Sequence, residues 1–216
     1  MSAEGRAFFS YNDIEHVMLL SSMKRSVSII GAGRVGRTLG KCLHDLGWRI
    51  GAVVTRSKAT AREAVRAIGD GTPYSAITPD VLGAGIILLT TPDDLLASAA
   101  VGLARTANRE SCRGKIILHT SGGLDCGVLR PLTRLGAATG SLHPMQTFSG
   151  RNIPKLKGTI FAVEGDPRAR RVARAIARSL GGTPIDIDGE TSPLITPRPF
   201  LWQGTLSPWP RPPRRS

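Results

Sequence analysis

The chain has 216 residues, 41% of them hydrophobic, and a formal net charge of +13. This length suits one domain with extensions, and the hydrophobic content is enough to form its core. No stretch approaches the roughly 18 uninterrupted apolar residues of a membrane span, and the apolar run 17–20 is too short for the core of a secretory signal. We therefore expect a cytoplasmic protein that does not contact a membrane.

Apolar, β-rich runs alternate with helix-like segments from residue 26 to about residue 188. The runs predicted as strands are 26–30, 50–54, 85–90, 115–119, 138–142, 159–163 and 184–187. The segments predicted as helices are 34–46, 58–68, 94–106, 124–135 and 167–180. This alternation predicts an α/β fold with a doubly wound parallel sheet covered by helices on both faces. We assign it to one domain, residues 23–190.

Residues 1–22 do not resemble the rest of the chain, and Met23 is followed almost directly by the apolar run 26–30. We interpret 1–22 as an irregular extension, either disordered or the product of a misassigned start codon, and we expect it to be dispensable.

Two predicted helices show clear apolar periodicity. In segment 34–46 the apolar stripe consists of Val35, Leu39, Leu43 and Leu46. In segment 167–180 it consists of Val172, Ile176 and Leu180, and the opposite face carries Arg168, Arg170, Arg171, Arg174 and Arg178. We interpret this densest basic cluster as a solvated helix face. Because aromatic residues make up only 5% of the chain, the stacking platforms of single-strand binders are not evident, and nucleic acid is not the expected partner.

Cys42, Cys112 and Cys126 are odd in number and have unrelated spacings. They match no zinc or disulfide pattern. We expect free thiols and no metal site.

A glycine-rich turn joins the first predicted strand to the first predicted helix. Gly31, Gly33 and Gly36, with Arg34 and Val35 between them, fit the fingerprint of a Rossmann dinucleotide-binding domain. The first glycine permits the tight turn, the second allows the pyrophosphate to approach the backbone, and the third allows close packing of helix on strand. The alternative is a glycine-rich turn that holds no ligand.

The end of the second strand indicates which dinucleotide is bound. NAD-binding domains place a carboxylate there on the ribose 2′-hydroxyl, whereas this chain has Thr55-Arg56-Ser57. A guanidinium beside hydroxyls suits a 2′-phosphate, so we predict NADP as the cofactor. The alternative is an ordinary surface arginine.

Polar residues follow three further strands. Thr90 and Thr91 are predicted to line the path from pyrophosphate to nicotinamide, whereas Asp93 is expected to be the N-cap of helix 94–106. His119 is expected to be structural.

The substrate is predicted at the ends of the next two strands. Ser121 and the amides of Gly122 and Gly123 are candidates for binding a carboxylate, and Gln146 is a further substrate candidate. His143 is a candidate proton donor or relay, with a structural hydrogen bond as the equal alternative.

These motifs together resemble a known family. Gly31–Gly36, then His119-Thr120-Ser121-Gly122, then the run from Gly140 to Phe148 (Gly-Ser-Leu-His-Pro-Met-Gln-Thr-Phe) look like Rossmann-like oxidoreductases with a C-terminal domain of unknown function. That family is related to pyrroline-5-carboxylate reductase, prephenate dehydrogenase and 3-hydroxyisobutyrate dehydrogenase. The resemblance covers roughly 24–190 and implies NADP binding, hydride transfer and a homodimer formed by a helical second domain, which this chain lacks.

Three functions compete. The first is an NADP-dependent oxidoreductase acting on a small carboxylate-bearing imine, keto acid or hydroxy acid, with Ser121 and His143 as its catalytic residues. The second is a non-catalytic NADP-binding or sensing module. The third is a nucleic-acid-associated protein whose binding depends on net charge.

The tail 191–216 differs from everything before it. It has no periodicity, and its prolines stand at 193, 197, 199, 208, 210, 212 and 213. We interpret it as a frameshift product that replaces the helical second domain and leaves a truncated, inactive enzyme. Permitted codons from Thr191 to Thr205, read one frame over, give an apolar run that contains Tyr-His-Ala-Ala, similar to the opening of this family's second domain. A genuine disordered basic tail is the alternative.

Overall fold

The computed structural model describes residues 25–148 and 154–187. Its strands are β1 (Ser26–Ile30), β2 (Arg49–Val54), β3 (Thr72–Tyr74), β4 (Ile86–Leu89), β5 (Ile116–His119), β6 (Ala138–Pro144), β7 (Ile160–Gly165) and β8 (Thr183–Asp186). Its α-helices are α1 (Arg34–Asp45), α2 (Lys58–Ile68), α3 (Asp93–Thr106), α4 (Arg109–Cys112), α5 (Arg130–Thr133) and α6 (Pro167–Ser179). Two 3₁₀ helices, Pro79–Gly83 and Cys126–Leu129, complete the described elements.

All described strands form one sheet in the order β3-β2-β1-β4-β5-β6-β7-β8. The strand order reverses beside β1, which lies between β2 and β4. In an open α/β sheet such a switch point leaves a crevice at the carboxyl ends of the strands, where ligands bind. The fold therefore places the glycine turn after β1 at the position where a nucleotide is expected.

Helices cover the sheet on two faces, as the near-continuous apolar strands require. On one face, Leu39 and Leu43 of α1 and Ile176 of α6 join a buried cluster with alternate residues of the strands. On the other face, Leu96 and Leu103 of α3 pack with the remaining strand residues. These two apolar layers hold the strand ends in fixed positions at the carboxyl edge of the sheet.

The sheet is parallel except at one pair. β7 runs antiparallel to β6, and β8 is parallel to β7. The predicted doubly wound parallel sheet is therefore confirmed, with the pair β6 and β7 as its exception. Parallel neighbours need a long crossover, usually a helix, and no helix lies between β6 and β7 among the residues described there.

Several local predictions need correction. The predicted helix 124–135 consists of the 3₁₀ helix Cys126–Leu129 followed by α5. The predictions do not include β3 or α4. Leu46, predicted in the apolar stripe of α1, caps the C-terminus of that helix and is exposed. The amphipathic character of α6 agrees with its pattern, since Val172 is buried and Arg171 is exposed.

The predictions for segments 1–22 and 191–216 concern residues outside the described part of the chain. Cys42, Cys112 and Cys126 are free thiols. Within the described residues, no helix combines the length and the apolar character that crossing a membrane requires.

Candidate active site

The glycine turn after β1 is held by its own backbone geometry. Gly31 has φ of 92°, a conformation that side chains rarely adopt, and its amide donates to the carbonyl of Val54 at 2.8 Å. A Cβ on Gly31 would lie 2.6 Å from the amide nitrogen of Thr91. The glycine is thus required where the ends of β1, β2 and β4 meet.

Gly36 is required by the protein itself. It is buried in the first turn of α1, and a Cβ there would collide with the hydroxyl of Thr90. That hydroxyl donates to the carbonyl of Gly31 at 2.8 Å and so ties the end of β4 to the turn. Gly36 and Thr90 therefore determine how closely α1 packs on the strand ends.

Gly33 is different, because no group of the described residues occupies the space beside it. A Cβ on Gly33 would meet only the carbonyl oxygen of Gly31, at 3.9 Å, and the residue is exposed. It is the N-cap of α1 and forms no side-chain cap. The open space lies directly in front of the helix N-terminus, which favours an anion.

Three hydroxyl groups lie together after β2. Ser57 caps α2 by accepting from the amide of Thr60 at 3.2 Å. The Oγ1 atom of Thr60 lies 2.6 Å from Thr55 Oγ1 and 2.9 Å from Ser57 Oγ. Arg56, between the capping residue and β2, is exposed. This group of donors faces solvent at the start of α2, with no carboxylate among its members.

The end of β4 contributes an unsatisfied hydroxyl. Thr91 Oγ1 is buried and has no hydrogen-bond partner among the described residues. An unpaired buried hydroxyl is costly, so this atom is suited to meet a polar group of a ligand. The N-cap of α3 is Pro92, so the prediction that Asp93 caps this helix is wrong. Asp93 is instead the first residue of the helix and lies in its first turn.

Ser121 organises the turn after β5. Its Oγ accepts from the amides of Gly123 and Leu124, each at 3.1 Å. The Gly123 amide is therefore occupied and is not free to bind a carboxylate, which corrects that part of the prediction. Because Oγ receives both bonds as an acceptor, its own hydrogen remains available for donation.

His143 lies against Gly122. Its Nδ1 is 2.9 Å from the carbonyl oxygen of Thr120. A Cβ on Gly122 would lie 2.5 Å from His143 Nε2, so only glycine allows the ring to approach this closely. The imidazole is half-buried and is fixed by a backbone contact on the neighbouring strand.

His119 lies beneath this turn and is fully buried. Neither of its ring nitrogens meets the geometry of a full hydrogen bond to a described residue, although the backbone of Asp125 lies close enough to favour the protonated ring. Burial lowers its pKa to about 4, although the carboxylates of Asp93 and Asp125 act in the opposite direction. The ring is therefore neutral near pH 7. The structural role expected for His119 stays a prediction.

One cavity of about 1100 Å³ joins these groups along the carboxyl edge. Of the residues predicted to bind the cofactor, all except Gly36 line it. Of those predicted for the substrate, Ser121, Gly122 and His143 line it, whereas Gly123 and Gln146 do not. Gln146 lies elsewhere, because its Oε1 accepts from Thr159 at 2.7 Å and its amide reaches the carbonyl of Lys155.

The cavity wall also includes residues that were not predicted to belong to the site. Arg37 donates to the carbonyl of Ala32 at 3.1 Å and forms an ion pair with Glu63 at 2.8 Å. Thr60 completes the hydroxyl group after β2, and Phe148 closes the wall near Arg34. Helical spacing places Arg37 one turn after Gly33, and that signal was available in the sequence.

The fold and this cavity define a Rossmann-type α/β domain with its glycine turn at the switch point. The chain belongs to the Rossmann-like domain family, whose model matches residues 13–144. No curated protein matches the chain.

Solved structures share this fold at low sequence identity. A candidate NADP oxidoreductase of Bacteroides fragilis is 23% identical with a TM-score of 0.62, over 77% of this chain and 61% of its own. The arogenate dehydrogenase of Synechocystis is 18% identical with a TM-score of 0.61, over 75% and 59% of the two chains. An imine reductase of Bacillus cereus is 18% identical with a TM-score of 0.58, over 76% and 55%. The chain thus spans less than two thirds of the length of these proteins.

Proposed function

We propose that this protein is an NADP-dependent oxidoreductase that transfers a hydride to or from a small carboxylate-bearing imine, keto acid or hydroxy acid. The observation that carries this proposal is the open space at Gly33. Gly33 stands at the N-terminus of a 12-residue helix, at the switch point of the sheet, and no described residue occupies the space that a side chain there would fill. A ligand group that closely approaches the main chain at this position, such as a pyrophosphate, explains why a glycine is there.

The cavity fits a dinucleotide at both ends. The glycine turn and Arg34 would hold the pyrophosphate, and the unsatisfied Thr91 hydroxyl would meet a polar group of the cofactor beyond it. Arg56 with Thr55 and Ser57 would hold the 2′-phosphate. An exposed arginine beside hydroxyl donors favours that dianion, and a carboxylate that would favour NAD is absent from the described residues of this group.

The substrate would bind between the turn after β5 and the end of β6. When bound, NADP(H) supplies or accepts the hydride. The role of the protein there is to orient the substrate and to donate or accept the proton that accompanies hydride transfer. Ser121 can donate its free hydroxyl hydrogen, and His143, which lines the cavity, would accept or relay a proton through Nε2.

The structural neighbours support the reaction class. An arogenate dehydrogenase and an imine reductase carry out hydride chemistry on the same fold. Because their identity to this chain is below 25%, the proposal rests on the residues of the cavity rather than on this likeness.

Titration of the full chain with NADPH and NADH, followed by the quenching of protein fluorescence, tests the cofactor. We expect NADPH to bind at least tenfold more tightly. Equal affinities would refute the 2′-phosphate assignment, and no binding of either would refute the proposal. NADPH oxidation in the presence of candidate keto acids and cyclic imines then tests catalysis, and tight NADPH binding without turnover would favour the sensing module.

A further inference from the structure

The ionisable residues that line the cavity are separated by sign. The cations are on the nucleotide side: Arg34 and Arg37 on α1, and Arg56 after β2. The carboxylates, Asp93 and Asp94, both stand in the first turn of α3. The cationic half suits the phosphates of a dinucleotide. The anionic half lies beside Ser121 and His143, where the substrate is proposed to bind.

Asp93 is directed at the substrate turn. Its Oδ2 lies 3.1 Å from the position that a Cβ on Gly123 would take. The adjacent glycine, Gly122, is in contact with the His143 ring. Two consecutive glycines thus allow a carboxylate and an imidazole to approach the same turn.

The local structure of α3 does not account for this carboxylate. Asp93 is not the N-cap and makes no side-chain capping bond. Within the described part of the chain it has no hydrogen-bond or ion-pair partner, and its side chain is exposed at the cavity. The favourable field of the helix N-terminus acts on Asp94 as well as on Asp93. Only Asp93 closely approaches the glycine pair.

We propose that Asp93 binds the protonated nitrogen of the substrate, and that the substrate is therefore a cyclic imine or secondary amine rather than a keto acid or hydroxy acid. This inference rests on the proposed function and narrows it. A ketone oxygen cannot donate to a carboxylate, and a hydroxyl donates to it without carrying a charge. A protonated nitrogen donates a hydrogen bond and also attracts the carboxylate by its positive charge. A substrate that also carries a carboxylate would direct that group away from α3.

The experiment uses the full chain saturated with NADP⁺ and three small probes. Pyrrolidine is a cation at pH 7.5, cyclopentanone is its neutral analogue of the same ring size, and pyruvate is an anion. Ligand-observed NMR titration gives each dissociation constant. We expect pyrrolidine to bind about tenfold or more tightly than the other two, the ratio expected for a hydrogen bond to a charged group.

Asp93→Asn should reduce pyrrolidine affinity about tenfold, to the level of cyclopentanone. Asp94→Asn, which removes the same charge from the same helical turn, should change it less than about twofold. Wild-type pyrrolidine affinity in Asp93→Asn, or equal losses in both variants, would overturn the inference. The inference would also be overturned if Asp93→Asn lost affinity for NADP⁺ alone, because Asp93 would then bind the cofactor and not the substrate. NADP⁺ binding is measured first, because its absence in the wild type would overturn the proposed function as well.

Discussion

The Nδ1 atom of His143 lies 2.9 Å from the carbonyl oxygen of Thr120. A carbonyl oxygen only accepts, so Nδ1 carries the hydrogen and the neutral ring keeps its lone pair on Nε2. This backbone contact therefore fixes the tautomer, and Nε2 is the ring atom that can accept a proton.

Replacing this ring tests its role. His143→Phe keeps an aromatic ring against Gly122 but cannot transfer a proton, so we expect turnover to fall by about 10²- to 10⁴-fold. NADPH affinity should stay within about twofold, because the ring is placed at the substrate end. The measurement is steady-state NADPH oxidation together with a binding titration. His44→Phe, on α1 and distant from the substrate turn, is the control, and equal turnover in both variants would contradict the assignment.

The cofactor preference should depend on Arg56. Arg56→Asp replaces a guanidinium with a carboxylate at the end of β2, so the NADPH dissociation constant should rise about 10- to 100-fold, as for a lost charge-assisted bond. The NADH dissociation constant should fall, because the new carboxylate can accept from the 2′-hydroxyl. The matched variant is Arg62→Asp, an exposed arginine on α2 that does not line the cavity. Parallel losses in the two variants would indicate a general charge effect.

Two glycines of one motif should behave in opposite ways. Gly33→Val should leave the melting temperature nearly unchanged and abolish NADPH binding, because the side chain fills space that only the ligand uses. Gly36→Val should lower the melting temperature by several degrees, since overpacking against Thr90 costs about 1–3 kcal/mol. Thermal unfolding with and without NADPH measures both. Undiminished NADPH binding in a folded Gly33→Val variant would place the cofactor elsewhere.

His119 should make the fold sensitive to acid. In the unfolded chain its imidazole titrates near the ordinary pKa of about 6.5, whereas burial lowers the pKa of the folded state to about 4. Between these values the unfolded chain binds a proton that the folded chain does not. The contribution of the neutral His119 ring to the free energy of unfolding is therefore complete above pH 6.5 and is lost as the pH falls towards 4.

From pH 7.5 to pH 5 this loss should amount to about 2 kcal/mol of unfolding free energy. Urea unfolding of the wild type and of His119→Leu at both pH values measures it. The variant should lose that part of the pH dependence, and His44→Leu should retain it. An unchanged pH dependence in His119→Leu would show that other groups cause the acid sensitivity.

The sequence predicted the described core of this fold well because its strands are strongly apolar. Runs such as 26–30 and 115–119 have no other stable environment than a sheet covered on both faces. β3 was not predicted because it has only three residues, one of which is Pro73, and forms no apolar run. The direction of β7 is not encoded in its own composition. The signal for it was the missing helical pattern between 142 and 159, since a parallel crossover needs one.

The predicted residues line the cavity where a backbone motif determines the geometry, and they lie outside it where side-chain contacts determine their position. Gly31, Gly33 and Arg56 follow from spacing relative to strands. Gln146 belongs to a strand-end motif, yet its amide binds Thr159 across the β6–β7 connection. That pairing depends on the antiparallel register, which the one-dimensional pattern does not show.

The reversal of β7 has a consequence for the course of the chain. Because β8 runs parallel to β7, its end at Asp186 points towards the edge of the sheet opposite the glycine turn. The last described strand therefore points away from the cavity. Anything joined to the end of β8 can reach the cavity only if its connection reverses direction. The length and stiffness of that connection would then limit how often it contacts the cavity, as a tether limits the reach of what it holds.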